Sequence, residues 1–162
     1  MSVYEYLREC NKDNMDAIAI NYFNKTMTFR YFFGEVNLCA KALRSQGIRP
    51  GDVVTVLMAN TPEAVIAFYA INKIGAIANI IHPLSSTKDI KRALDETNST
   101  VLFCSDTSMP NAKKIKVKHF ILVPNSNSLI KVKKMIYNLK ESTNLKLEGN
   151  MILWSDFIFI KH

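Results

Sequence analysis

Apolar positions along the chain recur with two periods, and their alternation lays out an α/β order of elements. Ala17 to Ile20 and Thr26 to Thr28 predict short strands around a turn from Asn21 to Lys25. Thr28 suits a helix cap, and Phe32, Val36, Cys39 and Leu43 then fall on one helical face. That helix is predicted to end at Gln46, with Gly47 in the left-handed closing position. Arg49-Pro50-Gly51-Asp52 predicts a turn, because proline presets one φ angle and glycine tolerates the unusual one beside it. Val53 to Met58 follows as a β-branched run apolar on both sides, the pattern of an interior strand covered on both faces.

Thr61-Pro62-Glu63 opens the next helix with a capping hydroxyl, a first-turn proline and an acid near the positive end of the dipole, and Gly75 closes it. Ala76 to Ile81 predicts a second buried strand, and Ser86 with Asp89 resembles a capping box for a helix bearing Ile90, Ala93 and Leu94. Thr100 to Cys104 and His119 to Val123 are further strands, separated by a short helical stretch near Asn111 to Ile115. Leu129, Val132, Ile136 and Leu139 mark an amphipathic helix, and Pro124 to Ser128 and Glu141 to Asn150 are polar loop candidates. With crossovers this short, the economical architecture is α/β: a mostly parallel sheet with helices on both faces and right-handed connections. Residues 1–162 form a single α/β unit in this reading, with no internal repeat, and 141–162 are a loop and an apolar tail. Met151 to Ile160 is so apolar that it is expected to be left exposed unless something covers it, which favours a two-fold homodimer.

The totals narrow the class. At 162 residues, 48% of them apolar and 22% charged, the chain is long enough to bury a core and too hydrophobic for a disordered segment. The longest apolar run, Ala64 to Ile71, is too short to cross a bilayer, so no transmembrane segment is expected. Glu5, Arg8 and Glu9 stand where a signal peptide needs an apolar core. Cys10, Cys39 and Cys104 are odd in number and lack metal-ligand spacing, which points to reduced thiols, two of them packed in apolar segments, in a cytoplasmic protein.

The net charge of +7 is local. Eight lysines (113, 114, 116, 118, 131, 133, 134 and 140) and no acid lie between Thr107 and Lys140, while the other 13 basic and 14 acidic residues nearly cancel. Lysine without arginine or interleaved aromatics is a weak nucleic-acid signal, so no nucleic-acid partner is expected. The stretch reads first as a solvated face and second as a contact for an anionic partner such as a membrane surface or a cofactor's phosphates.

Candidate chemistry is sparse. The glycines are Gly34, Gly47, Gly51, Gly75 and Gly149, so neither G-x-G-x-x-G nor G-x-x-x-x-G-K occurs. His82, His119 and His162 are far apart, and no His, Cys, Asp and Glu cluster has metal spacing, so the metal-site prediction is none. His82 and Pro83 close a predicted strand at the end of a parallel sheet where doubly wound folds bind ligands. They are the candidate binding residues, at the rim of a channel. The plainer account of His82 is a loop histidine hydrogen-bonded to backbone.

One ordered series carries a resemblance: Thr28-Phe29-Arg30-Tyr31, Ala42-Leu43 with Gly47, Pro50-Gly51-Asp52-Val53-Val54, Met58-Ala59-Asn60-Thr61-Pro62-Glu63, Lys73-Ile74-Gly75-Ala76 and His82-Pro83-Leu84. From about residue 15 to about residue 123 the chain resembles the N-terminal portion of an AMP-forming acyl-CoA synthetase, of the adenylate-forming, AMP-binding superfamily. The resemblance implies the N-terminal subdomain of that fold and, for a full-length enzyme of fatty acid metabolism, ATP, Mg and CoA as cofactors. Such an enzyme joins a small-molecule carboxylate to AMP and passes the acyl group to a thiol. The family's Thr/Ser/Gly-rich phosphate loop ending in Pro-Lys, its aromatic-Gly-x-Thr-Glu segment, its ribose-binding Asp and its C-terminal lysine have no counterpart in these 162 residues. Leu153-Trp154-Ser155-Asp156-Phe157 resembles the stretch just before that loop. The expectation is therefore a fragment with no catalytic residues and no cofactor of its own, whose partner is the remainder of the enzyme. Some members carry a basic residue near the coenzyme A phosphates where this chain has Leu84, which puts a coenzyme contact there in doubt. The segment after His82-Pro83 also lacks the proline-rich, Asp-containing pattern of amino-acid-activating relatives. The other reading is a non-catalytic interaction module that uses the lysine-rich face or the apolar C-terminus.

Overall fold

The computed structural model describes residues 1–129, 147 and 149–159. Helix α1 (Val3–Cys10) begins with a capping box: the Ser2 hydroxyl accepts from the Glu5 amide and the Glu5 carboxylate accepts from the Ser2 amide. The sequence reading had no helix here, although the Ser-x-x-Glu signal stands in plain view. Strands β1 (Ile18–Tyr22) and β2 (Lys25–Thr28) pair antiparallel around Phe23 and Asn24, both at positive φ. The turn is thus tighter than the one expected from 21 to 25. Thr28 caps α2 (Phe29–Ser45), which closes through Gln46 and a Gly47 at φ 86° as its pattern predicts.

Strand β3 (Val53–Leu57) leads to α3 (Pro62–Lys73), where the Thr61 hydroxyl accepts from the Ala64 amide. At the far end of α3, Gly75 takes φ 77°, which favours glycine, and a Cβ there would press on the Pro50 ring at 3.1 Å. Strand β4 (Ile77–Ile80), α4 (Thr87–Thr97), β5 (Val101–Ser105), α5 (Met109–Ala112) and β6 (His119–Val123) follow. Ser86 caps α4, but its hydroxyl donates to the Asp89 carboxylate rather than sharing a full capping box with it. The expected helix on Leu129, Val132, Ile136 and Leu139 lies almost entirely outside the described residues, as do lysines 131, 133, 134 and 140. Strand β7 (Met151–Leu153) and α6 (Trp154–Ile158) complete the described chain.

The five strands β4-β3-β5-β6-β7 form one parallel sheet. Alternation along the central strands divides the core into two layers. Val54, Val56, Val101, Phe103, Ile121 and Val123 join the buried side chains of α2, α3 and α6. Leu57, Leu102, Cys104 and Phe120 join Ile90 and Leu94 of α4 on the opposite face. Helices therefore cover both faces, as expected, and Cys39 and Cys104 are buried while Cys10 is exposed. Burial pushes the Cys39 and Cys104 thiols well above the usual thiol range, so both stay protonated packing groups. Helix α1 is latched to the first layer: the Tyr4 amide donates to Asn72 Oδ1 at 2.8 Å, and the Lys73 ammonium donates to the Tyr4 hydroxyl at 3.1 Å.

Two expectations need correction. Strand β4 is an edge strand, not a buried one, with Ile77 and Ile80 more than half exposed. The apolar C-terminal segment is not left exposed: β7 pairs with β6, and Trp154, Phe157 and Ile158 are buried within the chain's own core. Phe157 meets the Phe103 ring edge-on, with centroids 5.5 Å apart. Among the described apolar residues of this segment only Phe159 is exposed.

Candidate functional site

The sheet's connectivity sets where a site can form. From β3 the chain runs outward to β4 and then returns past β3 to β5, so the direction of progress reverses between β3 and β5. Such a switch point leaves a crevice at the C-terminal ends of the strands. The hollow that the described residues form near these strand ends lies on the β3–β4 side, framed by the 58–61 connection into α3 and by the hairpin β1–β2. The hairpin is held by backbone bonds from Phe29 N–H to Ala17 O at 3.0 Å and from Arg30 N–H to Met15 O at 2.8 Å. These bonds carry Ile20 and Tyr22 over the start of α3.

An open groove of about 410 Å³ results. Val56 and Ile80 contribute from the strands, Met58 from the connection after β3, Ala64, Val65 and Phe68 from α3, and Ile20 and Tyr22 from the hairpin. A second hollow of about 310 Å³ lies against the same hairpin, between Lys25, Met27 and Tyr31, and shares Ile20 and Pro62 with the first. Among the described residues, no charged side chain lines the larger groove. Its walls are mainly apolar, with Tyr22, Asn60, Thr61 and Tyr69 as the polar residues, and they carry no cationic or carboxylate group of the kind that a triphosphate or its metal needs.

Charge collects beside the groove instead. Glu63, in the first turn of α3, is buried; burial and then the Glu63 carboxylate raise the Tyr22 hydroxyl pKa, while burial, then Glu35 and last Glu63 raise that of Tyr31. Burial raises the Glu35 carboxyl; the Tyr31 hydroxyl opposes the rise and Glu63 reinforces it.

His82 and Pro83 do lie at the C-terminal end of β4, in a turn closed by the Ser85 amide donating to His82 O at 2.9 Å. The His82 ring is exposed, and its Nδ1 accepts from the Leu84 amide at 3.2 Å. That contact is the plainer reading of the histidine, and it turns the Nε2–H outward. Leu84, 72% exposed, offers no charge to a phosphate. His119 lies at the opposite, N-terminal end of β6, where burial first and Lys118 second hold its pKa below the usual histidine value. His162 lies outside the described residues. No group of three metal-ligating side chains occurs among the described residues.

Sequence reading missed the groove. It took Asn60-Thr61-Pro62 as a bend only, whereas the structure also makes these residues its wall. Tyr22, Phe68 and Ile80 carry no local signal, since the wall is assembled from four separated elements.

Residues 7–149 match the family model of the AMP-binding enzyme. The chain belongs to the AMP-binding enzyme family. This AMP-binding enzyme chain is 32% identical over 155 residues to an acetyl-coenzyme A synthetase of Shewanella pealeana, covering 91% of this chain and 24% of the relative. An acetyl-coenzyme A synthetase of Vibrio cholerae is 27% identical over 133 residues, covering 82% of this chain and 20% of that protein. The chain thus spans about a quarter of the length of the curated relatives it matches. Among solved structures, the anthranilate CoA ligase AuaEII in complex with anthranoyl-AMP superposes with a TM-score of 0.79 at 22% identity, over 98% of this chain and 28% of the ligase. A benzoate CoA ligase from Burkholderia xenovorans gives 0.70 at 17% identity, over 75% of this chain and 26% of that ligase. These likenesses establish the fold of the AMP-binding enzyme chain, including β7 and α6 beyond the family match. No helix among the described residues is long and apolar enough to cross a membrane.

Proposed function

We propose that residues 1–162 are the N-terminal subdomain of an ATP-dependent acid–thiol ligase and make no acyl-adenylate by themselves. In the whole protein, a carboxylic acid is activated to acyl-AMP and its acyl group passes to coenzyme A. The observation that carries this reading is the pair of coverages: acetyl-coenzyme A synthetases match 91% of this chain, while the chain accounts for 24% of such a relative. An apolar groove without phosphate-binding groups agrees with a half-site whose polar half comes from elsewhere. Mg and the ATP phosphates belong to that other half. The two-fold dimer expected from an exposed C-terminal segment loses its basis, since Trp154, Phe157 and Ile158 are buried within the chain.

The coding sequence is the direct test. In frame beyond codon 162, a Thr/Ser/Gly-rich loop ending in Pro-Lys is expected; a stop codon at that point would replace the ligase reading with that of an interaction module.

Within the same reading, His82 and Pro83 form the rim of the acyl or thiol channel. His82→Ala in the full-length protein is expected to raise KM for one substrate about tenfold with little change in the unfolding midpoint, a loss of about 1.4 kcal/mol in binding. A lower midpoint with unchanged kinetics of the folded fraction would return His82 to its turn-forming role.

A further inference from the structure

Away from the groove, unpaired charge is concentrated in the connection from α5 to β6. Lys113, Lys114, Lys116 and Lys118 are exposed there, while Ile115 and Val117 between them pack onto the second core layer. The backbone that carries them is fixed at both ends. Lys113 N–H donates to Met109 O and Ile115 N–H to Ala112 O, each at 2.9 Å, and Asn150 Nδ2 donates to Lys118 O at 2.8 Å. With the apolar side chains anchored inward, the lysines are held outward.

The neighbouring helix on the same sheet face shows the contrast. On α4, Lys91 pairs with Asp95 and Arg92 with Asp89. Among the described residues, none of the four lysines takes part in an ion pair. The sequence also places no acid between Asp106 and Glu141 to neutralise them.

We propose that this lysine run docks the protein on an anionic lipid bilayer. Lysine presents a compact, strongly hydrated point charge on a flexible stem, which suits a diffuse layer of lipid headgroups more than a single fixed phosphate. Nucleic-acid binding draws on arginine forks and on aromatic faces for stacking, and residues 113–118 contain neither. A protein partner would need an apolar centre within the patch, but here the apolar side chains point into the fold.

Cosedimentation of the full chain with vesicles tests this. Binding to phosphatidylserine–phosphatidylcholine vesicles is expected to exceed binding to phosphatidylcholine alone by at least about tenfold, and to fall steeply as salt shortens the screening length. The variant Lys113→Gln, Lys114→Gln, Lys116→Gln, Lys118→Gln is expected to lose that preference. A control with the same charge loss on α1, the residues after it and α2, namely Arg8→Gln, Lys12→Gln, Lys41→Gln, Arg44→Gln, should retain it, with thermal midpoints confirming that both fold. Should the lysine variant not fold, the two double variants Lys113→Gln, Lys114→Gln and Lys116→Gln, Lys118→Gln are each expected to lose part of the preference, and an unchanged preference in both would overturn the proposal. Equal losses in the fourfold lysine variant and its control, no preference for phosphatidylserine, or tighter capture by a single-stranded or duplex RNA than by the vesicles would overturn it too.

Discussion

Phe157→Ala is expected to destabilise the chain by about 3–5 kcal/mol, the range for deleting a fully buried aromatic ring. Phe157 is 0% exposed, stands edge-on to Phe103, and lies 6.3 Å from the Trp154 ring. Its helix is only five residues long and cannot close over the gap by repacking along its own length. Domains have only about 5–15 kcal/mol in total, so this one ring holds a large share. Phe159, two residues on but 71% exposed, supplies the contrast: Phe159→Ala should stay within about 0.5 kcal/mol. Urea unfolding followed by circular dichroism measures both. A loss below about 1 kcal/mol for Phe157→Ala would show that the C-terminal helix is not part of the core.

Ending the chain at Asn150 should have a larger effect still. Without β7, the Phe120–Leu122 backbone loses its ladder partners, and without α6 the Phe103 ring loses both of its aromatic neighbours. Each freed backbone group returns to water at small net cost, but the uncovered apolar layer does not. The expected result is a protein that aggregates or unfolds at temperatures where 1–162 is folded, seen in sedimentation and in melting. A monomeric 1–150 with the same midpoint would show that the tail is dispensable. The sequence alone makes the same segment an exposed surface for self-association rather than a part of the core.

That reversal shows what sequence can and cannot carry. Helices α2 and α3 were legible because each end has its own chemistry: Thr28 and Thr61 cap, Pro62 fits the first turn, and Gly47 and Gly75 take the positive φ that follows. Strand β3 was legible as central because it is buried on both sides. Strand β4 has a similar apolar run, Ile77-Ala78-Asn79-Ile80-Ile81, yet sits at the edge. Composition reports that a strand is apolar, not which neighbours cover it. The C-terminal run gave the same ambiguity, dividing into a three-residue strand and a five-residue helix that share one apolar pattern. Of the candidate site, His82 and Pro83 were visible because proline ends a strand; the groove was not, because Tyr22 and Phe68 meet only after the hairpin folds over α3.

The chain carries the fold of an AMP-binding enzyme, and in the proposed reading the groups that perform adenylation lie in the rest of the protein. The groove of the described residues offers no cation to offset the charge that develops when a carboxylate attacks a nucleoside triphosphate. The most direct measurement is exchange of labelled pyrophosphate into ATP by purified 1–162, with acetate, benzoate and longer carboxylic acids each supplied in turn. The account predicts exchange at background with every acid. Carboxylate-dependent exchange, reproduced in independent preparations free of host ligase, would contradict it.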